Sequence, residues 1–240
     1  MVSSKPSQYT KGWVEFYKLK FKVTPDVLIP RPETELLVDE VLNHIKYYVS
    51  SIKGADIVVL DIGTGAGNIA ISIAKNAPDI KIVATDISNS ALKIAKSNAK
   101  LHGVEKKIEF IQSNLLAEPI IHNTECAILI IVTNLPYIPS ARIPYLDSSV
   151  KDFEPHVALD GGEDGFELYR KLFQQLKDKN WLARRSLGEG RKLKIFVGEI
   201  DYTHGELAIN EAQKYFPEAK VEVKTDLAHR QRILTIYQTS

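Results

Sequence analysis

Residues 57–62 read Ile-Val-Val-Leu-Asp-Ile and run straight into Gly-Thr-Gly-Ala-Gly-Asn at 63–68. A strand this uniformly apolar has both faces covered, which is the condition of a strand inside a parallel sheet with crossover helices on each side. The chain keeps that rhythm. Apolar runs at 81–87, 107–112, 126–134 and 193–200 alternate with segments of helical spacing. Ser88 or Asn89 suits the cap of one helix and Gly103 its stop, and further helices are expected near 165–177 and 206–215. The last two runs, Ala-Lys-Val-Glu-Val-Lys-Thr and Arg-Ile-Leu-Thr-Ile-Tyr-Gln, have no long helix between them and should pair antiparallel. The expectation is an α/β fold: a seven-stranded, mostly parallel sheet with an antiparallel last strand and helices on both faces.

Two regions stand outside this pattern. Residues 1–30 carry Trp13, Phe16, Tyr17 and Phe21 and read as a short helix and an extended segment laid on the main domain. Pro32 then opens an amphipathic helix with Leu37, Val41, Ile45 and Tyr48 on one stripe. The segment 183–192, Ala-Arg-Arg-Ser-Leu-Gly-Glu-Gly-Arg-Lys, reads as an exposed insertion, with a nucleic-acid contact as the alternative.

Composition narrows the classes. Hydrophobic residues make up 44% and charged residues 25% of 240 positions, enough for a core that needs no disulfide or metal. Cys126 is the single cysteine, beside the apolar run 127–132, and is expected to be a buried, inert thiol. The six histidines form no i, i+4 pair, so no metal site is expected. The first residues lack the apolar stretch of a signal peptide, and no run of ~18 apolar residues occurs. A cytoplasmic location without membrane contact is therefore expected, and the net charge of +1 argues against a nucleic-acid partner.

The glycines at 63, 65 and 67 let the backbone turn tightly and approach a ligand, and the helix they open offers free N–H groups. A dinucleotide fingerprint would put its third glycine at 68, where Asn68 stands. The candidate cofactor loop is Gly63, Thr64, Gly65, Ala66 and Gly67, with Asp86 placed for ribose hydroxyls after the second strand. Asn114 and Leu115, after the third, are placed for an adenine edge and ring. Turn residues at strand ends favour Gly, Asp and Asn in any case, so the weight lies in their order along the chain.

Asn134-Leu135-Pro136-Tyr137 ends the fourth strand, on the side of the sheet where ligands bind. An amide nitrogen is a poor nucleophile because its lone pair is delocalised, and an attacking NH2 needs acceptors for both hydrogens. Asn134 supplies a side-chain carbonyl, the carbonyl of Leu135 or Pro136 a second acceptor, and Tyr137 a face for a planar group. Neither acceptor is charged, so alignment and fixed dipoles would do the work. Pro136 as a strand stop and Tyr137 as core remain the bland alternative.

These residues resemble the HemK/PrmC protein-(glutamine-N5) methyltransferases. Similar blocks are VLIPRPETELLV (27–38), LDIGTGAGNIAISIA (60–74), ATDIS (84–88), NLPYIP (134–139), FEPHVALDGGEDGFELYRKL (153–172) and DLAHRQRIL (226–234). The resemblance implies a class I Rossmann-like methyltransferase domain over 31–240, preceded at 1–30 by a remnant like the family's linker. It implies S-adenosyl-L-methionine as cofactor, S-adenosyl-L-homocysteine as product, and the Gly-Gly-Gln glutamine of a peptide chain release factor as substrate. By it Asn134, Pro136 and Tyr137 are catalytic, Leu135 joins them in substrate binding, and Asn134 also borders the cofactor. Leu135 stands where the family has proline and Asn114 where it has aspartate. Arg31, Glu33 and Thr34 either support the cofactor pocket or only set the start of the helix. Alternatives are a ribosomal-protein glutamine, or the N6 amine of adenine in RNA or DNA.

Overall fold

The computed structural model describes residues 5–51, 56–116, 128–179 and 193–238. Cys126 and the segment 183–192 lie outside them. The chain enters through helix α1 (Ser7–Lys11) and a hairpin of β1 (Trp13–Phe16) and β2 (Leu19–Lys22). A 3-10 turn at Pro32–Thr34 leads into α2 (Glu35–Ser51). Then follow β3 (Ile57–Ile62), α3 (Asn68–Asn76), β4 (Lys81–Asp86), α4 (Asn89–Leu101), β5 (Ile108–Gln112) and β6 (Ile128–Thr133). After the loop carrying α5 (Ser148–Lys151) come α6 (Glu167–Asp178), β7 (Leu193–Glu199), α7 (Gly205–Tyr215), β8 (Ala219–Thr225) and β9 (Gln231–Gln238).

The main sheet has seven strands in the order β5-β4-β3-β6-β7-β9-β8, and β9 runs antiparallel to both of its neighbours. This is the expected α/β architecture. β3 and β6 are buried at every position, as central strands covered on both faces must be. Alternate residues divide between two cores. Ile57 and Val59 pack with α2 and α3, and Val58, Leu60 and Ile62 pack with α6 and α7. On α6, Tyr169, Leu172, Phe173 and Leu176 form one buried stripe. Each such side chain contributes about 1.5–3 kcal/mol relative to exposure.

The segment read as merely extended is a hairpin. Its turn uses Tyr17 and Lys18 at φ 50 and 58, left-handed positions that hairpin sequences usually give to Asn or Gly, so no turn signal marks it. It docks on α4 through Asn98, which is fully buried: Oδ1 accepts from Lys22 N at 2.8 Å, and Nδ2 donates to Lys22 O and to Ala66 O at 3.0 and 2.8 Å.

Strand order reverses between β3 and β6, which opens a crevice at their carboxyl ends. The register pairs Ile62 with Thr133 and Thr133 with Gly198, so Gly63, Asn134 and Glu199 leave the sheet at one level. Gly67 starts α3 at φ +81, and a Cβ there would meet Ala95 Cα at 3.3 Å and Ile71 Cδ1 at 2.9 Å. Gly67→Ala combines left-handed strain with that clash and is expected to lower unfolding free energy by about 1–3 kcal/mol, read by chemical denaturation. An unchanged midpoint would show that α3 and α4 part freely.

Candidate active site

The crevice is lined from segments far apart in the chain. The glycine turn gives Gly63, Thr64, Gly65 and Ala66; β4 gives Asp86; β5 gives Ser113, Asn114 and Leu115; β6 gives Asn134, Leu135 and Pro136. Further walls are the stretch before α2, including Val27, Pro30, Arg31 and Thr34, and the loop residues Pro155, Val157 and Ala158. Gly67 and Tyr137 are not among the lining residues: Gly67 is turned to α4, and Tyr137 is set back with its hydroxyl on Glu199.

The turn is held by its neighbours. Gly63 N and Thr64 N both donate to Thr85 O at 2.8 Å, and Gly65 N donates to Asp86 Oδ2 at 2.9 Å. Asp86 Oδ1 accepts from Ser88 N at 2.8 Å. Burial pushes the Asp86 carboxyl above the usual carboxylate range, against the pull of these N–H groups. Leu115 has φ 57, a left-handed turn that follows Asn114 into the crevice wall. Ser113 is 6% exposed and its hydroxyl has no hydrogen-bond partner among the described residues.

At β6 the side chain of Asn134 is fixed from behind. Its Nδ2 donates to Thr34 Oγ1 and to Glu199 Oε2, each at 3.1 Å. Tyr137 Oη donates to Glu199 Oε1 at 3.1 Å, and Tyr169 Oη donates to the Glu199 carbonyl. Glu199 is 1% exposed; burial raises its carboxyl, while bonds from Thr34 and Tyr137 and the charge of Arg232 pull the other way. Desolvation and the Glu199 charge hold the Tyr137 phenol far above its ordinary range, so it stays a donor.

The loop beyond is pressed onto the tetrapeptide. A Cβ on Gly161 would lie 2.8 Å from Pro136 O and from Tyr137 Cα, so only glycine permits that approach. Glu154, also buried, accepts from Ile29 N at 3.1 Å and pairs with Arg31, which ties the Pro-Arg-Pro stretch to this loop. Thr34, for which support of the pocket was one of two readings, lines the crevice and holds Asn134; Glu199 escaped the sequence reading as a site residue. Glu199 had a signal: an acid closing an otherwise apolar strand end.

Among the described residues there is no cluster of three or more metal-ligating groups, and no helix is long and apolar enough to cross a membrane.

A glycine turn and a fixed carboxamide, side by side where a parallel sheet reverses, define a methyltransferase of the Rossmann-like class, and a family described as "Methyltransferase domain" matches residues 53–151. The chain is 36% identical over 229 residues to the release factor glutamine methyltransferase of Bacillus cereus, covering 95% of this chain and 75% of that one. It is 36% identical over 233 residues to the enzyme of that name from Lactococcus lactis, covering 97% and 77%. The chain belongs to the release factor glutamine methyltransferase family. The fold is shared with the N-terminal domain of human METTL16 in complex with SAH, at TM-score 0.58 and 15% identity over 92% of this chain and 76% of that one.

Behind the turn, Asp61 is fully buried. Oδ2 accepts from Thr64 Oγ1 at 2.6 Å and Ala70 N at 3.2 Å, and Oδ1 has no partner among the described residues. Burial, opposed by those two bonds, pushes its carboxyl up to about 7 from 3.8. A folded-state value above the unfolded one means that the folded protein holds the proton more tightly. Its contribution is complete below about pH 4 and is lost as pH rises through about 7. The unfolding free energy of wild type minus that of Asp61→Asn should therefore fall across this window in denaturation titrations. A flat difference would show that Asp61 ionises normally.

Proposed function

We propose that the protein methylates N5 of the glutamine in the Gly-Gly-Gln motif of a peptide chain release factor, with S-adenosyl-L-methionine as donor. The observation that carries this reading is the tethered amide of Asn134. Its NH2 is spent on Thr34 and Glu199, which leaves Oδ1 for the crevice beside the glycine turn. The same names among the relatives, at 36% identity, support it.

The crevice fits the cofactor. Asp86 keeps lone pairs for ribose hydroxyls, Ser113 and Asn114 offer polar atoms to a base, and Leu115 and Val27 offer apolar walls. Gly65, at φ +55 with nothing within 4 Å of a built Cβ, leaves open space over the turn. When bound, S-adenosyl-L-methionine supplies an electrophilic sulfonium methyl and leaves as S-adenosyl-L-homocysteine. Asn134 Oδ1 accepts one hydrogen of the substrate NH2. The Leu135 carbonyl accepts the other, because that of Pro136 is turned to Gly161. With both hydrogens engaged, the nitrogen lone pair is free to attack, and its proton leaves to water. No charged base lies among the three residues Asn134, Leu135 and Pro136, as suits a neutral nucleophile and a cationic donor. Residues 31–240 would form the transferase domain, with 1–30 as a linker-like segment whose end helps wall the crevice.

The test is incubation with methyl-labelled S-adenosyl-L-methionine, a release factor, a ribosomal protein and a structured RNA or DNA. Label is expected on the Gly-Gly-Gln glutamine; label confined to nucleic acid or to the ribosomal protein would overturn the reading. Asn134→Ala is expected to cut turnover on the order of 10²–10³-fold while cofactor affinity, by calorimetry, stays nearly unchanged.

A further inference from the structure

We infer that Glu199 is a positioning residue: its carboxylate decides which end of the Asn134 amide faces the substrate. This rests on the proposed transfer to an NH2 group. The two ends of a carboxamide are almost the same in shape and opposite in hydrogen bonding. Presented by its oxygen, Asn134 accepts from a substrate NH2. Turned over, it sets donor against donor, and the nucleophile has nothing to hold its hydrogen.

Two groups meet Asn134 from behind, and only one of them can choose. Thr34 Oγ1, 3.1 Å from Nδ2, belongs to a hydroxyl that accepts or donates as its rotor turns. Tyr137 does not reach the amide; its hydroxyl is committed to Glu199 Oε1. Glu199 Oε2, 3.1 Å from Nδ2, belongs to a carboxylate, which when ionised only accepts. The acid therefore holds the NH2 inward and the oxygen outward.

The setting argues for a purpose. A carboxyl 1% exposed at the end of a central strand costs stability that an apolar residue of similar size would not. Against burial, its charged form is favoured by three neutral donors, from Thr34, Asn134 and Tyr137, with Arg232 of β9 as the facing cation and Glu33 as the opposing anion. Its backbone is pinned by Tyr169 of α6, and β7 pairs Gly198 with Thr133, so acid and amide leave the sheet level.

An exchange of the pair tests this. Glu199→Gln can offer its own NH2 to Asn134 Oδ1 and draw the acceptor inward. Turnover on the release factor is expected to fall about 100-fold, with cofactor affinity and the thermal transition little changed. Asn134→Asp alone sets two carboxylates together and should fall as far. The double variant Asn134→Asp/Glu199→Gln again has a donor inside and an acceptor outside, and should recover at least about tenfold over either single change. A residue that merely fills space would give no such rescue. If Glu199→Gln does not fold, Glu199→Asp, still an acceptor, should keep turnover within about tenfold of wild type. A loss there equal to that of Asn134→Ala would overturn the role. So would full turnover in Glu199→Gln, or a double variant no better than its worse parent. Wild-type protein that labels no glutamine would instead overturn the transfer reading itself, and this role with it.

Discussion

Backbone hydrogen bonds between β3 and β6 run in parallel register up to Ile62 and Thr133, and both strands then stop. Because crossovers leave β3 toward β4 on one side and β6 toward β7 on the other, nothing bridges the gap above them. The glycine turn and the tetrapeptide must fill that gap from opposite sides. Their closeness is seen in Gly63, where a Cβ would stand 3.3 Å from Leu135 Cδ2. Thr133 Oγ1 donates to Ile62 O at 2.6 Å and closes the last rung. The placement of Gly63 and Asn134 descends from this pairing, since they are the first residues off the two strands.

The two buried acids of the site show how one chemistry serves different ends. Asp61 lies under the turn, holds Thr64 and the start of α3 with one oxygen, and leaves the other without a partner among the described residues. Glu199 has both oxygens engaged by side chains of the tetrapeptide, Asn134 and Tyr137. Desolvation lifts both carboxyls. The first thus becomes a group whose charge depends on pH near neutrality, while at the second the bonds from Thr34 and Tyr137 and the charge of Arg232 oppose the rise.

The sheet was legible because its central strands are apolar at all but one position each, Asp61 in β3 and Thr133 in β6, and burial on both faces leaves only one kind of sheet for them. Strand ends came within a residue or two, as at 126–134 against Ile128–Thr133. Legible too were the residues that leave the strand ends, since strand-to-helix turns fall where glycine and asparagine stand. The hairpin was not, because Tyr17 and Lys18 occupy left-handed positions without the residues that announce them. Nor were the ties that hold the stretch before α2 against the crevice. Ile29 and Arg31 are bound to Glu154 and Thr34 to Asn134, a hundred residues away or more, and no local pattern encodes a contact of that span. Nothing local marks Asn98; its amide bonds to two distant backbones are visible only once the chain is folded.

That amide has a mechanical meaning. One side chain grips both edges of the Lys22 peptide unit and the carbonyl of Ala66, at the crown of the glycine turn. The amino-terminal hairpin and the glycine turn are therefore clipped to one buried pivot rather than to separate parts of the surface, so that a displacement of the one bears on the other through a single side chain.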